Sequence, residues 1–181
     1  MKAFKIFLII LILCLAVISC NMFINIKRAI KYYPVVEKYC KQYNVDPMLA
    51  LSVMKVESNF NPKAKSKKGA LGLMQIMPQT GEDVAEKYLN MDFAEDKLYE
   101  PDFNIMIGVY YIKILSEMFN GNTNLILASY NAGLGNVQKW RIENPIIEYD
   151  PDEVPFKETK KYVAKINKIY DGLKRFNDNK N

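Results

Sequence analysis

The chain contains no histidine. That removes the commonest acid–base side chain and the commonest metal ligand, so any proton-transfer chemistry falls to Asp, Glu, Lys or Tyr. Cysteine is scarce. The 181 residues hold three, Cys14, Cys20 and Cys40, and the first two lie inside an apolar run. Neither a disulfide framework nor a zinc cluster can be built from that arrangement. Strand-like alternation and internal repeats are also missing, which leaves an all-α reading with one compact domain. A large excess of charge is lacking too. Net charge is +5, and without Lys2 and Lys5, which precede the apolar run, the 25 basic residues become 23 against 20 acidic ones. That is too mild to argue for nucleic acid. It fits either a domain near an anionic surface or a plain solvated basic face.

Apolar residues are plentiful, at half the chain. A chain of this size and composition can bury one good core, so one domain plus an appendage is expected. The appendage is N-terminal. Residues 6–26 hold no charged residue and are rich in Ile and Leu; Lys2 and Lys5 precede them, and Lys27, Arg28 and Lys31 follow. As a helix this run is long enough to span a bilayer core. Three readings compete. A cleaved signal peptide calls for a shorter apolar region and small residues at the cut. Val17-Ile18-Ser19-Cys20 resembles a bacterial lipoprotein box. An uncleaved signal anchor accounts for both the full length and the basic residues beyond it. All three place the rest of the chain outside the cytoplasm. The chain thus divides into residues 1–27 as membrane segment, 28–176 as the domain and 177–181 as a polar tail.

Within the domain, residues 28–43 form a first helix interrupted by Pro34, with Ile30, Tyr33, Val36 and Cys40 at helical spacing and Cys40 a small core residue. Asp46 and Pro47 read as N-cap and first position of a second helix. From Met48 to Val56 that helix is apolar almost all round, so it is expected to be central and buried. Glu57 lies at its end, and Asn59-Phe60-Asn61-Pro62 stops it. Residues 71–76 read as a short helical turn, and Pro78 opens a helix reaching about Tyr88. A polar connection follows over residues 92–100. Pro101 starts a long helix ended by Gly121, and Thr123 caps the next. Gly133 and Gly135 permit a sharp turn into a short helix ending near Trp140. Residues 144–155 are a surface loop, and residues 156–176 a last helix.

Glu57 is the first candidate for chemistry. An ordinary glutamate titrates near ~4.3 and is a poor acid at neutral pH. Apolar neighbours at Val53 and Met54, a roof of Met74 and Met77, and the negative end of a helix dipole all favour its protonated form. On the helix alone, an exposed last-turn glutamate explains the residue equally well.

Three motifs change that balance. They are Glu57-Ser58-Asn59-Phe60-Asn61-Pro62 with Ser66 and Gly69-Ala70-Leu71-Gly72-Leu73-Met74-Gln75-Ile76-Met77-Pro78; Ala128-Ser129-Tyr130-Asn131-Ala132-Gly133; and Glu158-Thr159-Lys160-Lys161-Tyr162-Val163. In this order they resemble the lytic transglycosylases of the soluble-lytic-transglycosylase type, glycoside hydrolase family 23, over about residues 46–163. One departure is Lys160, where arginine is often found. The resemblance implies a lysozyme-like fold and a role for each matching position. Glu57 would be the single acid–base. Ser66 would hydrogen-bond the site through its hydroxyl, and Gln75 and Met77 would line a sugar groove. Tyr130 and Asn131 would face Glu57 across the cleft, with Glu158 and Tyr162 closing its far wall. Met74 and Leu73 fit the core better than a contact. Tyr162 fits core and site equally, and Glu158 fits a helix-start charge nearly as well.

The implied substrate is peptidoglycan, with no metal or cofactor, and the implied product is a 1,6-anhydro end. A hydrolytic muramidase using Asp83 or Glu82 as second carboxylate, and a non-catalytic glycan-binding envelope protein, remain as alternatives. Nothing in the sequence points to a particular protein partner.

Overall fold

Asp46 begins the element that positions everything else. In the computed structural model, which describes residues 2–143 and 157–178, its backbone is extended and its Oδ1 accepts from the N–H of Met48 at 2.7 Å. Pro47 occupies the first turn, where no N–H is needed. The helix so started, α2 (Pro47–Ser58), buries the consecutive residues Leu49 to Met54. Burial all round a helix requires neighbours on every side, and the rest of the chain supplies them.

A long helix, α1 (Lys2–Tyr43), precedes α2 and packs on it and on α4 (Pro101–Met118). One expectation about α1 is corrected: Pro34 does not interrupt it, and the helix runs on without a break through residues 27 and 28. A proline frees the carbonyl four residues back, and here that residue, Ile30, is 67% exposed, so water can meet the carbonyl. The inward face is likewise not the one expected from Ile30: it runs through Tyr32, Val36, Tyr39 and Cys40, all buried. Tyr39 donates to Asp102 Oδ2 at 2.5 Å and so pins α1 to the start of α4.

The segment between α2 and the next helix is not the helical turn expected at residues 71–76. Leu71 and Ile76 exchange backbone hydrogen bonds at 2.9 and 3.0 Å, and isolated bridges join Lys65 to Leu71 and Leu71 to Ile76. Gly72 and Gln75 hold φ of +76° and +50°, and two left-handed residues within one turn cannot continue a right-handed helix. Gly72 is required twice over: a Cβ there would lie 2.2 Å from the Leu98 carbonyl oxygen and 2.3 Å from Asn104 Nδ2.

After the loop comes α3 (Pro78–Glu82), which widens into a π turn over Asp83–Tyr88. The connection that follows contains a 3₁₀ turn, Glu95–Tyr99. α5 (Thr123–Ala132) is capped by Asn122, whose side chain accepts from the Leu125 N–H; the expected cap, Thr123, is its first helical residue. α6 (Leu134–Glu143) and α7 (Lys157–Asp178) complete the domain, α7 packing on α2 and α5. The expected loop at 144–155 lies outside the described residues, as do 179–181 of the expected tail; Asn177 and Asp178 belong to α7. Among the described residues there is no strand, so the expected all-α class is what the chain adopts.

One buried side chain holds the loop to the core. Asn104, fully buried in α4, donates through Nδ2 to the carbonyls of Leu71 (2.9 Å) and Leu98 (2.8 Å) and accepts the Met74 N–H at Oδ1 (2.7 Å). Asn104→Ala leaves the Met74 N–H and the Leu98 carbonyl without a partner and takes one of its two donors from the Leu71 carbonyl. We expect it to cost about 3–5 kcal/mol, read as a lower urea midpoint at unchanged slope. A loss under about 1 kcal/mol would mean that water replaces the amide.

Candidate active site

α2 delivers Glu57 to the inner end of the loop just described. The helix stops when Asn59 turns left-handed (φ +52°), its N–H bonding the Lys55 carbonyl. Ser58 ties that end down by donating to the Leu73 carbonyl at 2.6 Å. Glu57 is half-buried, and Tyr162 of α7 donates to its Oε1 at 2.6 Å. Burial pushes the Glu57 carboxyl up to about 7. The Tyr162 hydrogen bond and the positive charge of Lys165 oppose that rise without cancelling it. Tyr130 feels the Glu57 charge as well. Its own hydroxyl is raised well above the usual range, first by burial and then by Glu57. Tyr130 donates not to Glu57 but to the Met74 carbonyl at 2.8 Å, and its ring lies 5.4 Å from that of Tyr111.

Four of the expected site residues share one cavity of about 280 Å³: Gln75, Met77, Tyr130 and Asn131, joined by Lys68 and Thr80. Gln75 spends its amide hydrogens on the loop, donating to the carbonyls of Ala64 (3.2 Å) and Gly72 (3.0 Å). Met77 is 42% exposed on the cavity wall, whereas Met74 is fully buried against Gly108. The expected roof of two methionines is therefore divided between surface and core. Ser66 serves its own turn: its Oγ accepts the Ala70 N–H at 2.9 Å. Glu158 is exposed in the first turn of α7. Its neighbour Thr159 is the residue that reaches the site wall, donating to Asn131 Oδ1 at 2.9 Å. Thr159 stood inside the third motif but its buried position could not be read from the motif. Asn104 stood outside all three, and only its place in an otherwise apolar helical run marked it.

The carboxylates considered as a second catalytic group are otherwise engaged. Asp83 pairs with Lys87 at 2.6 Å, which holds its carboxyl below the usual range, and Gln79 bonds both Asp83 and Glu82.

A family model described as Transglycosylase SLT domain matches residues 34–150, more than half of the chain. The chain belongs to this family. Among curated relatives of the SLT domain, membrane-bound lytic murein transglycosylase C of Actinobacillus pleuropneumoniae serotype 5b is 36% identical over 164 residues, covering 78% of this chain and 45% of that protein. The soluble lytic murein transglycosylase of Salmonella typhimurium is 34% identical over 140 residues, covering 75% of this chain and 22% of that protein. The chain thus spans less than half the length of these relatives. Among solved structures, the 70-kDa soluble lytic transglycosylase of Escherichia coli superposes with a TM-score of 0.72 at 31% identity over 79% of this chain and 24% of that one. The family match ends before Glu158 and Tyr162, so their place at the site rests on geometry. Tyr162 is in direct contact with Glu57, and Glu158 is not in the cavity wall.

The raised Glu57 carboxyl has a consequence for stability. Below its unfolded value near 4.5 both states are protonated and burial carries no charge penalty; as pH rises from there to about 7 the unfolded state ionises first and the native state loses stability. Gln at this position keeps an oxygen acceptor for Tyr162 and has no charge to bury. Glu57→Gln should therefore melt with wild type at pH 4.5 and above it at pH 8, by up to about 3 kcal/mol. A variant that melts below wild type at pH 8 would make Glu57 an ionised structural carboxylate.

Proposed function

We propose that this domain is a peptidoglycan lytic transglycosylase, cleaving the β-1,4 bond between N-acetylmuramic acid and N-acetylglucosamine and leaving a 1,6-anhydro end. The observation that carries the proposal is a single carboxyl, Glu57, raised to about 7 and hydrogen-bonded by Tyr162 beside a wall made by Tyr130. A general acid works best when its pKa lies near the working pH. Membership of the SLT family supports the same reading.

One carboxyl must do what paired carboxyls ordinarily do in glycoside cleavage. Protonated Glu57 gives its proton to the glycosidic oxygen, and the bond from that oxygen to C1 breaks. The substrate's own N-acetyl carbonyl stabilises the positive charge developing at C1. Glu57, now ionised, takes the proton of the C6 hydroxyl of the same sugar as its oxygen bonds to C1. Protons balance, and Glu57 returns to its starting state. The internal hydroxyl spares the entropy of recruiting water. Gln75, Met77, Tyr130 and Asn131 line the groove for the sugars in this proposal. Ser66 supports the loop, and Tyr162 orients the carboxyl. Glu158, at the exposed start of α7, would meet substrate only at the rim.

The proposal places the enzyme at the membrane, held by residues 6–26 as an uncleaved anchor, with the domain outside the cytoplasm. The uncharged run and its basic flanks support this, as does a relative named membrane-bound. Among the described residues, no helix is long and apolar enough to cross a membrane, and the side chains of residues 2–15, 18, 21, 22 and 25 lie outside that description.

Purified enzyme should release anhydro-muropeptides from isolated cell walls, identified by mass spectrometry; reducing ends would instead mean a muramidase. Glu57→Gln should abolish release in a folded protein. Tyr162→Phe removes a donor that favours the carboxylate, so the alkaline limb of the activity–pH profile should move above about 7. An unchanged limb would separate Tyr162 from the proton transfer.

A further inference from the structure

A second and larger cavity, about 610 Å³, lies at the opposite end of α2 from Glu57. Its walls come from three helices at helical spacing: Ile26, Ala29, Ile30 and Tyr33 on α1, Met48 and Leu51 on α2, and Leu173 and Phe176 on α7. The volume falls within the usual range for small-molecule sites. The lining is almost wholly apolar, yet it is open, with Ile26 49%, Ile30 67% and Phe176 64% exposed. Phe23 and Ile24, just before it on α1, are 56% and 40% exposed. Leaving this much contiguous apolar surface in water is unfavourable, so such a patch marks an interaction site.

Two observations say what covers it. The first is continuity. The groove begins at Ile26, the last residue of the uncharged run, and α1 carries the run into the groove without a break. At a rise of ~1.5 Å per residue, Ile26 to Tyr33 spans about 10 Å, enough to cross the ~5–8 Å of one interfacial layer of a bilayer. The second is charge. The residues beside the lining ones are basic: Lys27 and Lys31 on α1, Lys174 and Arg175 on α7, all exposed, while Arg28 reaches instead to the Asn59 carbonyl at 3.4 Å. Asp171, Asp178 and, bound by Tyr33, Glu37 are the acidic residues nearest to them in sequence. An apolar groove rimmed by cations suits an amphiphile with an acyl tail and an anionic head.

We propose that the groove is a lipid-docking site: an acyl chain of an anionic phospholipid lies between α1, α2 and α7, and the basic rim holds its headgroup. This rests on the anchor reading above. It adds to it a second attachment, through the folded domain itself. One helix through a bilayer leaves a domain free to tilt, whereas a second contact fixes its orientation on the membrane surface.

The test uses the full chain reconstituted in phosphatidylglycerol–phosphatidylethanolamine vesicles whose acyl chains are brominated near the headgroup. Trp is placed at Phe176, or at Ile30 as a second reporter should the first variant fold poorly. Phe23→Trp reports on the anchor and Met118→Trp on a remote exposed site. Each is read as the difference from the parent, whose single tryptophan is Trp140. Phe176→Trp should be quenched as strongly as Phe23→Trp, with Met118→Trp unquenched. Phosphatidylcholine alone should weaken quenching at Phe176→Trp and not at Phe23→Trp. No quenching at Phe23→Trp overturns the anchor reading. Quenching at Phe23→Trp without quenching at either groove reporter overturns the docking site and leaves the anchor standing. Blue-shifted groove emission insensitive to bromine would show that protein, not lipid, covers the groove, and also overturns it. Equal quenching at Phe176→Trp with and without anionic lipid overturns the anionic lipid as occupant.

Discussion

Burial of α2 is the constraint on which the rest of the domain depends. Leu49 to Met54 are buried in succession, so the helix cannot rotate to give any one face to solvent. A glutamate one turn beyond Val53 must then emerge among protein atoms. Its carboxyl is partly desolvated by position, before any catalytic partner is considered, and desolvation is the largest effect acting on it. The neighbouring elements follow from that. α1 and α7 supply apolar walls that α2 needs, and the loop after Asn59 must return closely enough for Ser58 to reach the Leu73 carbonyl.

The protonation state of Glu57 is a balance, and the tyrosines are arranged so that it is not overturned. A carboxylate that accepts two or three donors falls well below the ordinary range. Among the described residues, Tyr162 alone donates to Glu57. Tyr130, whose hydroxyl also senses the Glu57 charge, is committed to the Met74 carbonyl. That commitment depends on Asn104, which fixes Met74 by its N–H and Leu71 by its carbonyl. A buried amide with no role in proton transfer thus decides where a second hydroxyl points. Burial outweighs one hydrogen bond and the charge of Lys165; with both tyrosines donating, the margin would shrink.

What the sequence revealed and what it hid divide along physical lines. The course of α2, its Asp46 and Pro47 start and its end near Asn59 were legible because caps and breakers act through neighbouring residues. Glu57 was legible only through its motif, since nothing local separates a last-turn surface glutamate from a desolvated one. Pro34 misled because its cost depends on whether the freed carbonyl meets water, which is a tertiary fact. Residues 71–76 misled because their apolar spacing suits a helix, while Gly72 and Gln75 take left-handed conformations and the Leu98 carbonyl and Asn104 leave no room for a Cβ at Gly72. Ile30 was assigned to the core on periodicity alone, and periodicity does not distinguish a core from a second apolar surface. Thr159 and Asn104 bond across 28 and 30 or more residues of chain, a range over which a single sequence carries no signal.

The misassigned Ile30 leads to the relation between the two ends of α2. Met48 lies in the apolar groove and Glu57 at the other end, nine residues on in a helix buried throughout its middle. At ~1.5 Å per residue they are about 14 Å apart. A helix held on all sides keeps that distance fixed. Asp46 fixes its start twice over, capping α2 through Oδ1 and accepting the Tyr170 hydroxyl through Oδ2 at 2.6 Å, so α7 is locked to the same end. α7 also carries Tyr162 to Glu57 and Leu173 and Phe176 to the groove. The two helices that carry Glu57 and Tyr162 also build two walls of the groove. Any surface that seats in the groove therefore sets the height of the Glu57 carboxyl above it.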